Sequence, residues 1–196
     1  MNPVIDVRAG GRRRIDRVLS GDYLAGIGEL DLGELRERRD EAAQEETDLS
    51  YLRRLLHARI DIVKAEQHGR ADGHHGNILE QLATILADNA LAPANNQTRH
   101  RLLEPSRAGV YRRQAEALAG NSDLSDVTSL TDTELTAALA TYREQEHSVS
   151  ARRREVQHVV DTLGAEIADR YARGAASVDE LIGKQQEEQG DTQADG

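Results

Sequence analysis

The stretch from Glu46 to Asp61 constrains this chain more than any other, because its polar and apolar side chains separate cleanly only on a helix. Glu46, Ser50, Arg53, His57 and Asp61 follow one another at intervals of four, three, four and four. Side chains three and four apart stack on one face of a helix, so these five form a single polar stripe. At about 100° per residue they keep within a sector of roughly 80°, and Leu49, Leu52, Leu56, Ile60 and Val63 fill the neighbouring sector. One stripe of this kind is usually no more than the solvated flank of a coiled coil.

A second copy changes what the stripe means. One hundred residues on, Glu146, Ser150, Arg153, Gln157 and Asp161 repeat the spacing with four of the five residue types unchanged, and Val149, Val156, Val160 and Leu163 recur at places matching the apolar row. The helix starts correspond as well. Asp31-Leu32-Gly33-Glu34 and Thr131-Asp132-Thr133-Glu134 each offer a capping side chain with Glu three residues later. The chain reads as an internal duplication in which both halves keep one polar face.

Composition narrows the class. The 196 residues include no Phe, Trp or Cys and only five Tyr, and 31% are charged. Such a chain is expected to be all-α, packing Leu, Ile, Val and Ala seams in place of a thick aromatic core. Without Cys there is no disulfide, thiolate chemistry or Cys-based zinc site, which suits a reducing cytoplasm. The longest apolar runs fall short of a membrane span and the Met-Asn-Pro start has no hydrophobic signal core, so a cytoplasmic protein without membrane contact is expected. A net charge of −10 repels phosphates and argues against direct DNA binding; it favours a basic protein partner.

Residues 1–30 are expected to be a mobile tail over 1–12, a short basic helix over Arg13–Leu19 and an apolar cap at Tyr23–Ile27. Residues 31–68 hold the first long helix, from about Leu32 to Gln67, which Gly69 and Asp72-Gly73 end. Residues 69–129 form a connection with helices over Asn77–Ala87 and Ser106–Ala119, separated by a loop at Asn89–Gln97. Residues 130–173 hold the second long helix, about Asp132 to Ala172. Residues 174–196 are an acidic tail, expected to be disordered apart from a brief helical contact over Val178–Ile182.

Each long helix would be roughly 50 to 60 Å in length. Antiparallel pairing is the economical arrangement, although the long connection allows either direction. If antiparallel, the matched stripes acquire an approximate two-fold axis suited to a two-fold symmetric ligand. Carboxylates accept from guanine N1 and N2, and Arg bonds guanine O6 and N7, stacks on the base or grips a phosphate. A cyclic dinucleotide of guanosine has that symmetry and is one candidate among several.

The pattern Glu-x3-Ser-x2-Arg-x3-Gln-x3-Asp, present twice on two long helices, resembles the signature of the RsiG-type anti-sigma factors of actinobacteria. The resemblance extends from about Arg13 to Ile182 and takes in Ile15-Asp16-Arg17-Val18-Leu19, Asp22-Tyr23-Leu24-Ala25-Gly26 and Glu104-Pro105-Ser106-Arg107. It implies an antiparallel coiled coil of two long helices with short accessory helices and two cyclic di-GMP molecules held between the long ones. It also implies that the loaded form keeps the sporulation sigma factor WhiG from RNA polymerase. By the same resemblance, the ligand-binding residues are Glu46, Ser50, Arg53, His57 and Asp61 with Glu146, Ser150, Arg153, Gln157 and Asp161. His57 stands where the pattern has Gln, so the contact made by Gln157 is not carried over to it. Arg54 and Arg154 lie beside the stripes, within reach of phosphates.

Two other readings compete. A plain coiled-coil adaptor or scaffold explains the seams and charges, but not why Ser recurs beside the same Arg and Asp. An enzyme would have to use His57, His68, His74 and His75, or Glu46 and Glu146. No Ser-His-Asp set is present, His74-His75 lacks a third metal ligand, and a helical rod offers little shelter from water, so neither catalysis nor a metal site is expected.

Overall fold

Both long helices begin where the sequence offers a reciprocal cap. Glu34 N–H donates to the Asp31 side chain at 2.8 Å while the Glu34 carboxylate accepts from Asp31 N–H at 3.2 Å, and Thr131 and Glu134 repeat the exchange. The computed structural model describes residues 5–73, 104–117 and 124–174. In chain order these form α1 (Arg14–Val18), α2 (Leu32–Ala71), α3 (Ala108–Ala117), a 3-10 turn (Leu124–Ser129) and α4 (Asp132–Ala172). No strand occurs among the described residues, and no helix there is long and apolar enough to cross a membrane.

The 40-residue α2 and the 41-residue α4 run antiparallel. Arg36 near the start of α2 donates to the Tyr171 hydroxyl near the end of α4, and Arg70 at the far end of α2 pairs with Asp132 at 2.7 Å. Their core follows a seven-residue spacing. Leu35, Ala42, Leu49, Leu56 and Val63 on α2, and Leu135, Tyr142, Val149, Val156 and Leu163 on α4, are all 0% exposed. A strict seven-residue seam keeps two helices facing each other along their whole length, as in a coiled coil. The same spacing buries Val159 and leaves Val160 half-buried, whereas the repeat pattern assigned Val160 to the seam.

The first long helix outlasts its expected end by one turn. Gly69 remains helical, and the chain turns only at Asp72 and Gly73, where φ of +71° reaches the left-handed region that glycine enters without a Cβ penalty. The second long helix ends at Ala172, as expected.

The N-terminal segment departs more clearly from expectation. Residues 5–12 are folded against α1: Ile5 is buried, and the Arg8 N–H donates to Asp16 Oδ1 at 2.9 Å. Arg13 adds its Nε at 2.8 Å and Nη2 at 2.7 Å to the same carboxylate. Gly11 passes so close that a Cβ there would lie 2.2 Å from Asp16 Oδ2. A run of Arg and Gly looks like a solvated tail in the sequence because the single buried acid that organises it lies several residues downstream. Tyr23, Leu24 and Ile27 do pack on the core, and Arg170 on α4 donates to the Ile27 carbonyl at 2.8 Å.

The accessory elements sit on one flank of α2. Arg14 joins Glu45 at 2.6 Å and also Asp48, both carboxylates being fully buried. Asp48 further accepts from the Ser106 N–H at 2.6 Å and its hydroxyl at 2.7 Å, so the connection is fastened to the middle of α2 just ahead of α3. Arg17 pairs with Glu41 on the same flank. At 100° per residue, Glu41 and Asp48 lie on one side of the seam while Glu46, Ser50, Arg53 and His57 lie on the other. The motif edge of the rod is thereby left uncovered by α1 and by the segment leading into α3. The expected helix over Asn77–Ala87, the loop over Asn89–Gln97, His74-His75 and the tail beyond residue 174 lie outside the described residues.

Candidate functional site

The antiparallel register brings the two motifs together crosswise. Arg53 on α2 reaches Glu146 on α4 at 3.3 Å, and Arg153 on α4 reaches Glu46 on α2 at 2.7 Å. Shifting every number by one hundred exchanges these two pairs, as an approximate two-fold axis requires. Within each helix the Ser one turn after the Glu holds its carboxylate: Ser50 Oγ donates to Glu46 Oε1 at 2.8 Å and Ser150 Oγ to Glu146 Oε1 at 2.6 Å.

The unit of the site is therefore not one motif but half of each. One half-site combines Glu46 and Ser50 of α2 with Arg153 of α4; the other combines Glu146 and Ser150 of α4 with Arg53 and His57 of α2. This crossing depends on the register of two segments far apart in sequence, which the spacing within either motif does not contain.

His57 places Nε2 3.2 Å from Glu146 Oε1, inside ion-pair distance but out of line for a hydrogen bond. Burial alone would push the Glu146 carboxyl up; the Ser150 hydroxyl, His57 and Arg53 outweigh it and hold the group below its ordinary value, so it is a carboxylate at neutral pH. All three contacts fall on Oε1, and on the other side Ser50 and Arg153 both meet Glu46 Oε1. In each half-site the second carboxylate oxygen takes no hydrogen bond from a described residue.

Two buried nitrogens in the groove also have no hydrogen-bond partner among the described residues, His57 Nε2 and Arg153 Nε. Buried polar atoms in native proteins are nearly always satisfied, and orphans call for an explanation. Here the orphans belong to His57 and Arg153, the side chains that meet Glu146 and Glu46, and those two carboxylates carry the spare oxygens. The edge thus offers guanidinium, imidazole and carboxylate groups with unused hydrogen-bonding capacity, the donor and acceptor set that a guanine edge and a phosphate require.

The outer motif positions are not drawn into this cluster. Asp61 is half-buried, Gln157 and Asp161 are exposed, and none of the three makes a hydrogen bond or ion pair with another described residue. Arg154 is exposed and its Nε donates back to the Ser150 carbonyl at 3.3 Å, while Arg54 lies beyond the stripe on the outer face of α2. Tyr142 was not singled out by the sequence pattern. It fills a seam position with no exposed surface and its hydroxyl has no hydrogen-bond partner among the described residues, burial pushing that hydroxyl up to about 12. Its place at the every-seventh position was the available signal. No group of three or more His, Asp or Glu among the described residues is placed to hold a metal ion.

The fold and the groove define a two-helix, antiparallel coiled-coil protein with a self-matched polar edge. The RsiG-like family matches this chain twice, over residues 21–86 and 121–185, each match containing one long helix and its motif. The chain belongs to the RsiG-like family, which makes it an anti-sigma-type regulator. None of the curated proteins matches the chain.

Proposed function

We propose that this protein binds cyclic di-GMP along its crossed motif edge and, when loaded, sequesters a WhiG-type sigma factor from RNA polymerase. The observation that carries the reading is the exchange symmetry of Arg53–Glu146 and Arg153–Glu46 about one point of the rod. A two-fold dinucleotide, or a pair of them, meets the same residue types from both sides of that point. Family membership supplies the anti-sigma role and supports the partner.

The chemistry is binding alone. In each half-site the carboxylate accepts from guanine N1 and N2 while the Arg of the opposite helix stacks on the base or meets the phosphate. Ligand entry replaces the direct Glu–Arg contacts with bridged ones and fixes the spacing and rotation of α2 against α4. That rod surface is what the sigma factor meets. By linkage, a nucleotide that favours the sigma-bound form is itself held more tightly in the complex, by the same factor.

A second reading has an observation of its own. The Arg and Glu groups already pair with one another, as the flank of a ligand-free coiled-coil adaptor would. Capture of the sigma factor with and without cyclic di-GMP separates the two. Capture that depends on the nucleotide and is lost in Arg153→Ala supports the ligand-gated regulator; capture indifferent to both supports the adaptor and refutes the proposal.

A further inference from the structure

We infer that His57 makes the two half-sites unlike, so that the half built on Glu146 takes up ligand less readily as His57 gains a proton, while the half built on Glu46 does not respond. The inference rests on the reading of the groove as a cyclic di-GMP site and adds to it an inequality between its halves.

The five motif positions differ between the helices only at residues 57 and 157. Around Glu46 the carboxylate meets a single cation among the described residues, Arg153 at 2.7 Å. Around Glu146 it meets Arg53 at 3.3 Å and His57 Nε2 at 3.2 Å, both on the oxygen that also accepts from Ser150. The other charged or titratable groups near His57 are Arg53, Arg54 and Asp61, each one turn away on α2. On α4, Arg143 and His147 flank Glu146 along the chain, and both are exposed. Glu146 is the one group of α4 within ion-pair distance of the ring.

Neutral imidazole has one nitrogen without a proton, whereas imidazolium donates from both. Protonated His57 thus gives Glu146 a second cation 3.2 Å from its Oε1, with an N–H that a small turn of the ring brings into line. Guanine needs the same carboxylate and must draw it away. Gln157 has no proton to gain in this range, so the partner half lacks the competition. Imidazolium also attracts phosphate, which would reverse the dependence, but a carboxylate at 3.2 Å is the anion already in place.

Calorimetry of the full chain with cyclic di-GMP from pH 8 to pH 5.5 tests this, with His57→Gln alongside. Affinity in the original chain should fall by about tenfold between pH 8 and pH 5.5, and His57→Gln should hold it within about twofold. A flat profile, or tighter binding at acid pH, overturns the inference. A second measurement needs no ligand: at pH 5.5 the His57 Nε2 proton should be protected from exchange with water, and Glu146→Gln should remove that protection. Loss of all binding heat at every pH sinks the cyclic di-GMP reading. An unprotected Nε2 proton sinks the His57 inference whatever the ligand does.

Discussion

Replacing Arg14 by Ala should cost this protein several times more stability than replacing its neighbour Arg17, although both belong to one five-residue helix and both pair with acids of α2. Arg14 spans two carboxylates, Glu45 and Asp48, each with no exposed surface. Removing one partner of a buried ion pair costs about 3–5 kcal/mol, because the remaining charge stays out of water without compensation. Asp48 would retain its bonds from Ser106 at 2.6 and 2.7 Å. Among the described residues Glu45 would retain only Arg107 at 3.9 Å, and its Oε1 already has no hydrogen-bond partner there, so the loss concentrates on Glu45. For a chain of this length each kcal/mol moves Tm by about 2–4 °C, giving a fall of roughly 6–20 °C. Arg17 is 52% exposed, and a pair so open to solvent is worth about 1 kcal/mol or less. Thermal unfolding followed by helical circular dichroism measures both variants. Replacing Glu45 with Met as well as Arg14 should recover part of the loss, since one stranded charge is then gone. Equal falls in Tm for Arg14→Ala and Arg17→Ala would refute the reasoning and show that burial of Glu45 and Asp48 does not set the strength of this contact.

Other outcomes follow from the same geometry. Arg53→Glu should weaken cyclic di-GMP uptake and lower stability by about 1 kcal/mol or less; adding Glu146→Arg should restore the stability but not the uptake, because the donor and acceptor have traded helices. Calorimetry and urea unfolding of the single and double variants check this. Leu49→Ala removes a side chain with no exposed surface at the centre of the seam and should cost about 2–5 kcal/mol in urea unfolding. Asp16 is held well below the usual carboxylate range, chiefly by the Arg13 side chain, with backbone N–H groups of Arg8 and Arg13 adding to it against the cost of burial. A depressed folded value gives stability that is fully present above about pH 4 and lost as pH falls further. Asp16→Asn should remove that acid-side decline, read from Tm between pH 2 and pH 6.

The long helices were legible because every determinant of them is local. Asp31 and Thr131 start them, Leu49 and Val149 mark their seams, and the Glu-to-Asp spacing sorts the faces. The crossing of the site was not. Arg53 meets Glu146 because the rods run antiparallel in one register, and that register is set by seam residues and by end contacts such as Arg70 with Asp132, drawn from opposite ends of the sequence. The buried acids were hidden for another reason. Glu45 and Asp48 look like ordinary solvated charges on a charged helix, and only their distant partners Arg14 and Ser106 allow them inside. Glu45 did leave a trace, since it stands seven residues before the buried Leu52, on the seam itself. Asp16 left none, because the backbone that wraps it has no periodic pattern.

Because both edges of the groove belong to a single polypeptide, a substitution touches one of them and spares the other. A rod assembled from two identical chains would carry each change twice and keep its halves equal. His57 opposite Glu146, with Gln157 alone at the equivalent place, is a difference that only the fused arrangement permits. Joining the halves frees one side to be tuned while the other holds its original contacts.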